Sequence, residues 1–424
     1  MSERNIFAAI DIGTNTAICI IGHDTGDNKI EILGHSIVAS SGVRRGVVLN
    51  VEEVAVAVER AVDKAKKDLS VSVKKLYVNV AGHNLHTVER KLTKKIEVGK
   101  IISKADIKQL FEEARVTPLQ EGEKVYHVIN QSYTVDGETG VNNPIGITGS
   151  ELVAEYRLII GPSSYENTLK KSLEIAGFEL VKCVVNPVAA AEAVLSDDEK
   201  EAGVVVVDLG GGTTSISIYH DNVLRHLGMI PFGGNVVTND IREGCSILLR
   251  QAESLKVQYG AAMGEHVPDN RVVTIPGLNG WEPKEISFKS LAYIIQARME
   301  EIIESVYYQV EKSGYADKLG AGVVVTGGGA KLLGIRQLVL FKTGLDVRIG
   351  SPINGFISES DKVIDSPQFA TAFGLLKKAV KNENAQNDEL INKKPRQKKP
   401  KTNYGEAIIQ KLSLFFNEEQ DAEF

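Results

Sequence analysis

The chain alternates short apolar runs with punctuated turns, and two of those runs follow one plan. Positions 7–12 form an apolar run carrying one Asp (Asp11), Gly13-Thr14-Asn15-Thr16 interrupts it, and 17–21 resume as a β-branched run, the pattern of strand, tight turn and strand. Positions 204–207 lead into Asp208-Leu209-Gly210-Gly211-Gly212-Thr213-Thr214, after which 215–219 alternate apolar and polar residues, the period of a half-buried strand. Placing Asp11 on Asp208 brings Gly13 onto Gly210 and Thr16 onto Thr213, about 200 residues further on. An internal repeat of this kind predicts a duplicated α/β fold with one hairpin from each half.

Helical spacing of apolar residues predicts helices over 51–69, 165–176, 187–195, 235–259, 288–313 and 368–380, with short buried-type strands over 76–81, 180–185 and 323–325. Between 83 and 161 the texture changes. Positions 85–98 are strand-like with alternating charge, Ser103-Lys104-Ala105-Asp106 opens an amphipathic helix, and 151–160 form a further strand. The expected organisation is a first lobe of 1–82, 162–202 and 361–381, an inserted α+β subdomain over 83–161, and a second lobe over 203–360 with a helical subdomain at about 235–315. Beyond Lys381, Asn, Glu, Gln, Lys and Pro dominate, which predicts a disordered linker over 382–403. Tyr404, Ile408, Leu412, Phe415 and Phe416 then fall on one face of a helix over 404–416.

Composition narrows the function. With 424 residues and 43% hydrophobic positions, the chain has material for several cores. A formal charge of −6 argues against a protein that coats nucleic acid, so no nucleic-acid partner is expected. Cys19, Cys183 and Cys245 are far apart in sequence, forming neither a metal pair nor a disulfide framework, as befits a reducing cytoplasm. No apolar signal core opens the chain and no run approaches the ~20 residues of a spanning helix, so membrane contact is expected to be peripheral. The cationic run Lys393, Lys394, Arg396, Lys398, Lys399 and Lys401 reads either as solvated linker or, beside the apolar face of 404–416, as part of an interfacial membrane anchor. Docking of that helix on the protein itself or on a partner groove is the alternative.

A strand ending in Asp-x-Gly and followed by small hydroxyl residues aims consecutive backbone N–H groups at one point, a cradle for phosphate oxygens. Thr14, Thr16, Thr213 and Thr214 add hydroxyl donors, and Asp11 and Asp208 suit a hydrated Mg²⁺ that neutralises the phosphates. Gly327, Gly328, Gly329 and Lys331 follow a third strand, where missing side chains admit a flat base or ribose. Neither the dinucleotide GxGxxG fingerprint nor the P-loop GxxxxGK[ST] occurs. Trp281 lies in a Gly- and Pro-rich loop and reads as a local packing anchor.

The order Asp11-Ile12-Gly13-Thr14, then Asn186-Pro187-Val188-Ala189-Ala190-Ala191, then the Asp208 turn, then Gly327-Gly328-Gly329 resembles the superfamily of actin, Hsp70 and the sugar kinases over about 6–380. The resemblance implies an actin-like, ribonuclease H-like duplicated fold in which two hairpins clamp ATP with Mg²⁺ and the last glycine loop borders the adenosine. Within it the chain most resembles the FtsA family of bacterial cell-division proteins, through the insertion after the strand ending at Gly82, the segment Ala252-Glu253-Ser254-Leu255-Lys256, and the terminal amphipathic helix. That resemblance implies that Glu253 and Lys256 face the ribose and that Gly234 borders the nucleotide. Many relatives have Glu or Gln where Asn186 stands, orienting the attacking water. Asn186 is shorter and cannot accept a proton, so it is a weak water-positioning group or simply an N-cap for the Pro187 helix, and hydrolysis is expected to be slow.

The implied function is an ATP-binding division protein that forms filaments on the cytoplasmic side of the inner membrane at the division site. By the same resemblance it would tether a tubulin-like ring protein, whose C-terminal peptide would enter a groove in 235–313, and meet other division proteins through the insert. A sugar kinase or an exopolyphosphatase is the enzymatic rival. Either needs an acidic base beside its acceptor, for which the inserted region offers no convincing candidate.

Overall fold

The computed structural model describes residues 6–26, 29–69, 71–97, 99–276, 282–352, 355–357 and 365–393. Trp281, the linker from 394 and the apolar stripe of 404–416 lie outside the described residues.

The duplication read from the turns extends to the sheets that carry them. In the first lobe the antiparallel meander Ile6–Ile12, Thr16–Asp24 and Ile30–Ala39 is extended beside Ile6–Ile12 by the parallel strands Lys75–Val80 and Glu179–Val185. In the second, Val204–Leu209, Thr214–His220 and Val223–Ile230 form the meander, and Val323–Thr326 with Val347–Ile349 extend it in parallel. Strand order and direction are the same in both.

The central strand of the second sheet is a nearly unbroken valine run because both its faces are covered. Val204 and Val206 join the hydrophobic cluster of the first lobe, while Val205 and Val207 pack in the cluster built on Leu291, Ile295, Ile302 and Val306 of the long helix Phe288–Lys312. In the first lobe the helix Val51–Ala65 starts at Asn50, whose side chain accepts the Glu52 and Glu53 N–H groups, and it buries Val54, Val58, Ala61 and Val62 along one stripe. The helix Asn186–Val194 is buried over its whole length and approaches the last helix so closely that any side chain at Gly374 would collide with the Ala189 carbonyl.

The insert has its own sheet, ordered His86–Lys95, Glu151–Pro162, Glu123–Val135 and Glu138–Val141, with the helix Lys104–Arg115 on a separate core around Leu110, Tyr156 and Leu158. Ser103 and Asp106 form the capping box that starts that helix. The strand Glu123–Val135 touches both lobes. His127 Nε2 accepts the Val185 N–H at 3.0 Å, while Gln131 Nε2 donates to the Leu224 carbonyl at 3.1 Å and its own carbonyl accepts from Arg225 at 3.2 Å.

Several expected boundaries move. The region 235–259 is two helices, Gly234–Cys245 and Leu249–Tyr259, because Ser246 takes a left-handed conformation (φ 48°) that ends the first. The subdomain they begin is not wholly helical, since Val272–Ile275 and Lys284–Ser287 pair as a hairpin before the long helix. Phe356–Ile357, expected in the second lobe, pairs in parallel with Ile30–Ala39 of the first, where Phe356 meets the Phe373 ring edge-on at 4.6 Å. The closing helix runs Ala370–Lys393 and so enters the stretch expected as linker. Positions 381–393 hold no Pro or Gly, and polarity alone does not stop a helix.

Candidate functional site

Each hairpin brings its turn to the same place by the same register. Asp11 lies opposite Ile18 and Ile12 opposite Ala17, as Asp208 lies opposite Ser215 and Leu209 opposite Thr214. Both turns close alike, Gly13 N–H donating to the Thr16 carbonyl at 2.9 Å and Gly210 N–H to that of Thr213 at 3.0 Å. The two turns then meet. A side chain at Gly212 would collide with Thr14 and one at Gly211 would come within 2.7 Å of Asn15, so glycine here lets the backbone of the second turn approach the side chains of the first. Asn15 also exchanges paired amide hydrogen bonds with Asn235. The Gly210 and Gly211 carbonyls accept the Gly234 and Asn235 N–H groups, tying the second turn to the start of the Gly234–Cys245 helix.

Behind the turns lie the carboxylates and a run of amides. Ile12 N–H donates to Asn79 Oδ1 at 2.7 Å, Asn79 Nδ2 to Asn186 Oδ1 at 3.2 Å, and Asn186 Nδ2 to Asp208 Oδ2 at 2.6 Å. Ser215 and Thr371 hydroxyls complete the polar lining. Asn186 is the first residue of its helix, the N-cap position belonging to Val185. Its side chain therefore does not cap, and both its amide groups are engaged. Burial pushes the Asp11 carboxyl up to about 8, and the neighbouring Asp208 charge adds to the shift. Burial raises Asp208 too, opposed by its bonds from Asn186 and Thr371. Two carboxylates resisting joint ionisation form a donor set that fits a hard cation. Among the described residues no cluster of three or more His, Cys, Asp or Glu could hold a metal. A cation at Asp11 and Asp208 would thus complete its shell with water and phosphate, as Mg²⁺ does.

Glu253 and Lys256 are no solvated pair. Lys256 Nζ donates to Glu253 Oε2 at 2.6 Å, to Thr238 Oγ1 at 2.7 Å and to the Gly234 carbonyl at 3.0 Å, which brings both residues to the rim of the second turn. Asp208 lies in register with Thr326, so the third glycine loop begins beside the carboxylate. Gly327 has φ 83°, and a Cβ there would collide with Asp208 Oδ1. At Gly328 a Cβ would meet nothing, and Lys331 ends the turn exposed. Sequence reasoning missed Asn79, Thr238, Asn235 and Thr371. An asparagine inside the apolar strand Leu76-Tyr77-Val78-Asn79-Val80 was the available signal for the first.

Two three-plus-two sheets sharing one topology, with paired Asp-x-Gly turns meeting between them, define the actin-like class. Comparison with known proteins agrees. The family model "Cell division protein FtsA" matches residues 205–374, "SHS2 domain inserted in FTSA" matches 82–160, and "Hsp70 protein" matches 164–222. The chain is 33% identical over 384 residues to the cell division protein FtsA of Neisseria meningitidis serogroup B, covering 90% of this chain and 92% of that protein. Among solved structures it is similar in fold to the PilM-PilN type IV pilus biogenesis complex, with TM-score 0.61, 16% identity and coverage of 88% and 98%. It is similar also to MreB5 of Spiroplasma citri bound to ADP, with TM-score 0.55, 15% identity and coverage of 91% and 98%. The chain belongs to the FtsA family and is an actin-like cell-division protein. The kinase and exopolyphosphatase readings give way to this family.

Proposed function

We propose that this division protein holds one ATP with Mg²⁺ between its lobes, self-associates into filaments, and ties a tubulin-like ring protein to the cytoplasmic face of the inner membrane at the division site. The observation that carries the nucleotide reading is the meeting of two turns in one register, one from each lobe, with Asp11 and Asp208 behind them. Gly13, Thr14, Asn15 and Thr16 on one side and Gly210, Gly211, Gly212 and Thr213 on the other supply phosphate donors. Asp11 and Asp208 hold the cation through water. Glu253, Lys256 and Gly234 take the ribose side, and Gly327, Gly328, Gly329 and Lys331 the base side. The solved MreB5 of similar fold is bound to ADP, which favours a nucleotide here. Asn186, committed to Asp208 and Asn79, favours holding ATP over rapid hydrolysis. Attachment falls to residues 404–416, the ring-protein peptide to the subdomain of 235–315, and further division proteins to the insert. Among the described residues no helix is long and apolar enough to cross a membrane.

Titration calorimetry of the parent and Asp208→Ala with Mg-ATP tests the nucleotide reading. At least a tenfold loss of affinity is expected, since a charge-assisted contact is worth about 1.5–3 kcal/mol. Equal affinities would remove the Asp208 turn from the site.

A further inference from the structure

Asn79 is the penultimate residue of the strand Lys75–Val80, 4% exposed between two buried valines. A buried side-chain amide needs partners, and here the partners dictate which way it faces. The Ile12 N–H can only donate, so Asn79 must present Oδ1 to it. Its Nδ2 is thereby turned to Asn186, which must answer with Oδ1, and the Asn186 Nδ2 is left facing Asp208. The relay starts at a backbone donor of the first hairpin and ends at a carboxylate of the second, so its sense is fixed at both ends. Flipping either amide sets donor against donor on one side and oxygen against oxygen on the other. We propose that Asn79 is a positioning residue that fixes the orientation of Asn186, and through it Asp208, so coupling the two hairpins of the site. The coupling rests on the Mg-ATP reading of that site. While the relay is intact, the Asn186 Nδ2 hydrogens face Asp208 and Ser215, so only the second lone pair of Oδ1 is left for a water molecule.

The test uses the full chain and two readouts. In nucleotide-free protein labelled with ¹⁵N-asparagine, the side-chain amide proton that Asn186 gives to Asp208 is expected downfield, assigned by its loss in Asn186→Ser. Asn79→Leu keeps the volume but removes both the acceptor for Ile12 N–H and the donor toward Asn186 Oδ1. The Asn186 amide is then held at one end only, and its signal should shift and broaden. Calorimetry with ATP, with and without Mg²⁺, gives the metal-dependent gain in affinity. Asn79→Leu and Asn79→Ala should each cut that gain about tenfold, the size of one hydrogen bond to a charged group. The double variant Asn79→Ala with Asn186→Ala should lose no more than the worse single one. A merely structural Asn79 would lower the melting temperature and leave the metal-dependent gain alone. An Asn186 signal unmoved in Asn79→Leu, or losses that add in the double variant, overturns the proposal. If Asn79→Ala does not fold, Asn79→Leu decides alone. If the parent binds no Mg-ATP, the reading of the site fails while the amide signal still judges the relay.

Discussion

Asn15 at the tip of the first turn and Asn235 in the first turn of the Gly234–Cys245 helix exchange two hydrogen bonds, 2.6 Å from Asn15 Nδ2 to Asn235 Oδ1 and 2.9 Å in return. One partner belongs to each lobe, so the pair latches the lobes together at the mouth of the site. A neutral hydrogen bond nets about 0.5–1.5 kcal/mol, and exposure puts this pair near the low end. Asn15→Ala and Asn235→Ala should each destabilise slightly in urea unfolding, and the double variant should match either single one. Fully additive losses would show that the pair has no joint contribution.

Gly327 and Gly328 are neighbours with opposite tolerance. The first combines a positive φ with a Cβ position already filled by Asp208 Oδ1, while the second faces open space. Gly327→Ala should cost at least ~2 kcal/mol from strain and overpacking and displace Asp208. Gly328→Ala should leave the melting temperature nearly unchanged. Thermal unfolding of the two variants side by side settles the matter, and equal shifts would contradict the geometry.

His127 gives a pH signature. Burial first, then the Lys378 and Lys182 charges, hold its ring neutral, with a pKa pushed down to about 3. The unfolded chain takes up a proton below about 6.5 while the folded chain refuses it until about 3. This histidine therefore costs nothing above pH 6.5, and stability falls as pH drops from 6.5 toward 3, by up to ~1.4 kcal/mol per pH unit. His127→Gln, which can still accept from Val185 N–H, should flatten that part of the curve in denaturant titrations at pH 4.5, 5.5 and 7. A variant curve parallel to the parent's would assign the acid sensitivity elsewhere.

Residues 404–416 should account for vesicle binding. Each large apolar side chain contributes at most about 1.5–3 kcal/mol at full burial and less at an interface, and each nearby Lys or Arg adds up to ~1 kcal/mol on anionic lipid. Such an anchor is reversible alone and avid when filaments multiply it. Leu412→Glu with Phe415→Glu should abolish co-flotation with anionic vesicles and leave Mg-ATP binding intact. A double variant that floats like the parent would place the anchor outside this stripe.

The hairpins were legible because their turn chemistry is local. Asp-x-Gly with flanking apolar strands needs no distant partner to be recognised, and repetition made it specific. The strands Glu123–Val135 and Val223–Ile230 were not read because their cover comes from afar. The first has Gln131 bonded to the second lobe and bulged pairing with Glu151–Pro162, and neither feature leaves a period-2 signature. Phe356–Ile357 is two residues long, too short for any pattern. Among site residues, Asp11, Asp208 and the glycines were visible by type. Asn79 and Thr371 were not, since an isolated polar residue acquires a role only when the fold brings its partner to it. Glu253 and Lys256 are named from family likeness, and the geometry adds what spacing lacked, the Thr238 hydroxyl bonded to both and the Gly234 carbonyl that accepts from Lys256.

The strand Glu123–Val135 is pinned to the first lobe at His127 and to the second at Gln131, four residues apart. A strand is nearly inextensible along its axis, so it bridges the two lobes at a fixed spacing. Relative movement of the lobes there must either break the Gln131 bonds to Leu224 and Arg225 or carry the insert along. The bearing of the insert and the relative position of the lobes are thus linked through one strand, and a partner gripping the insert would pull on both.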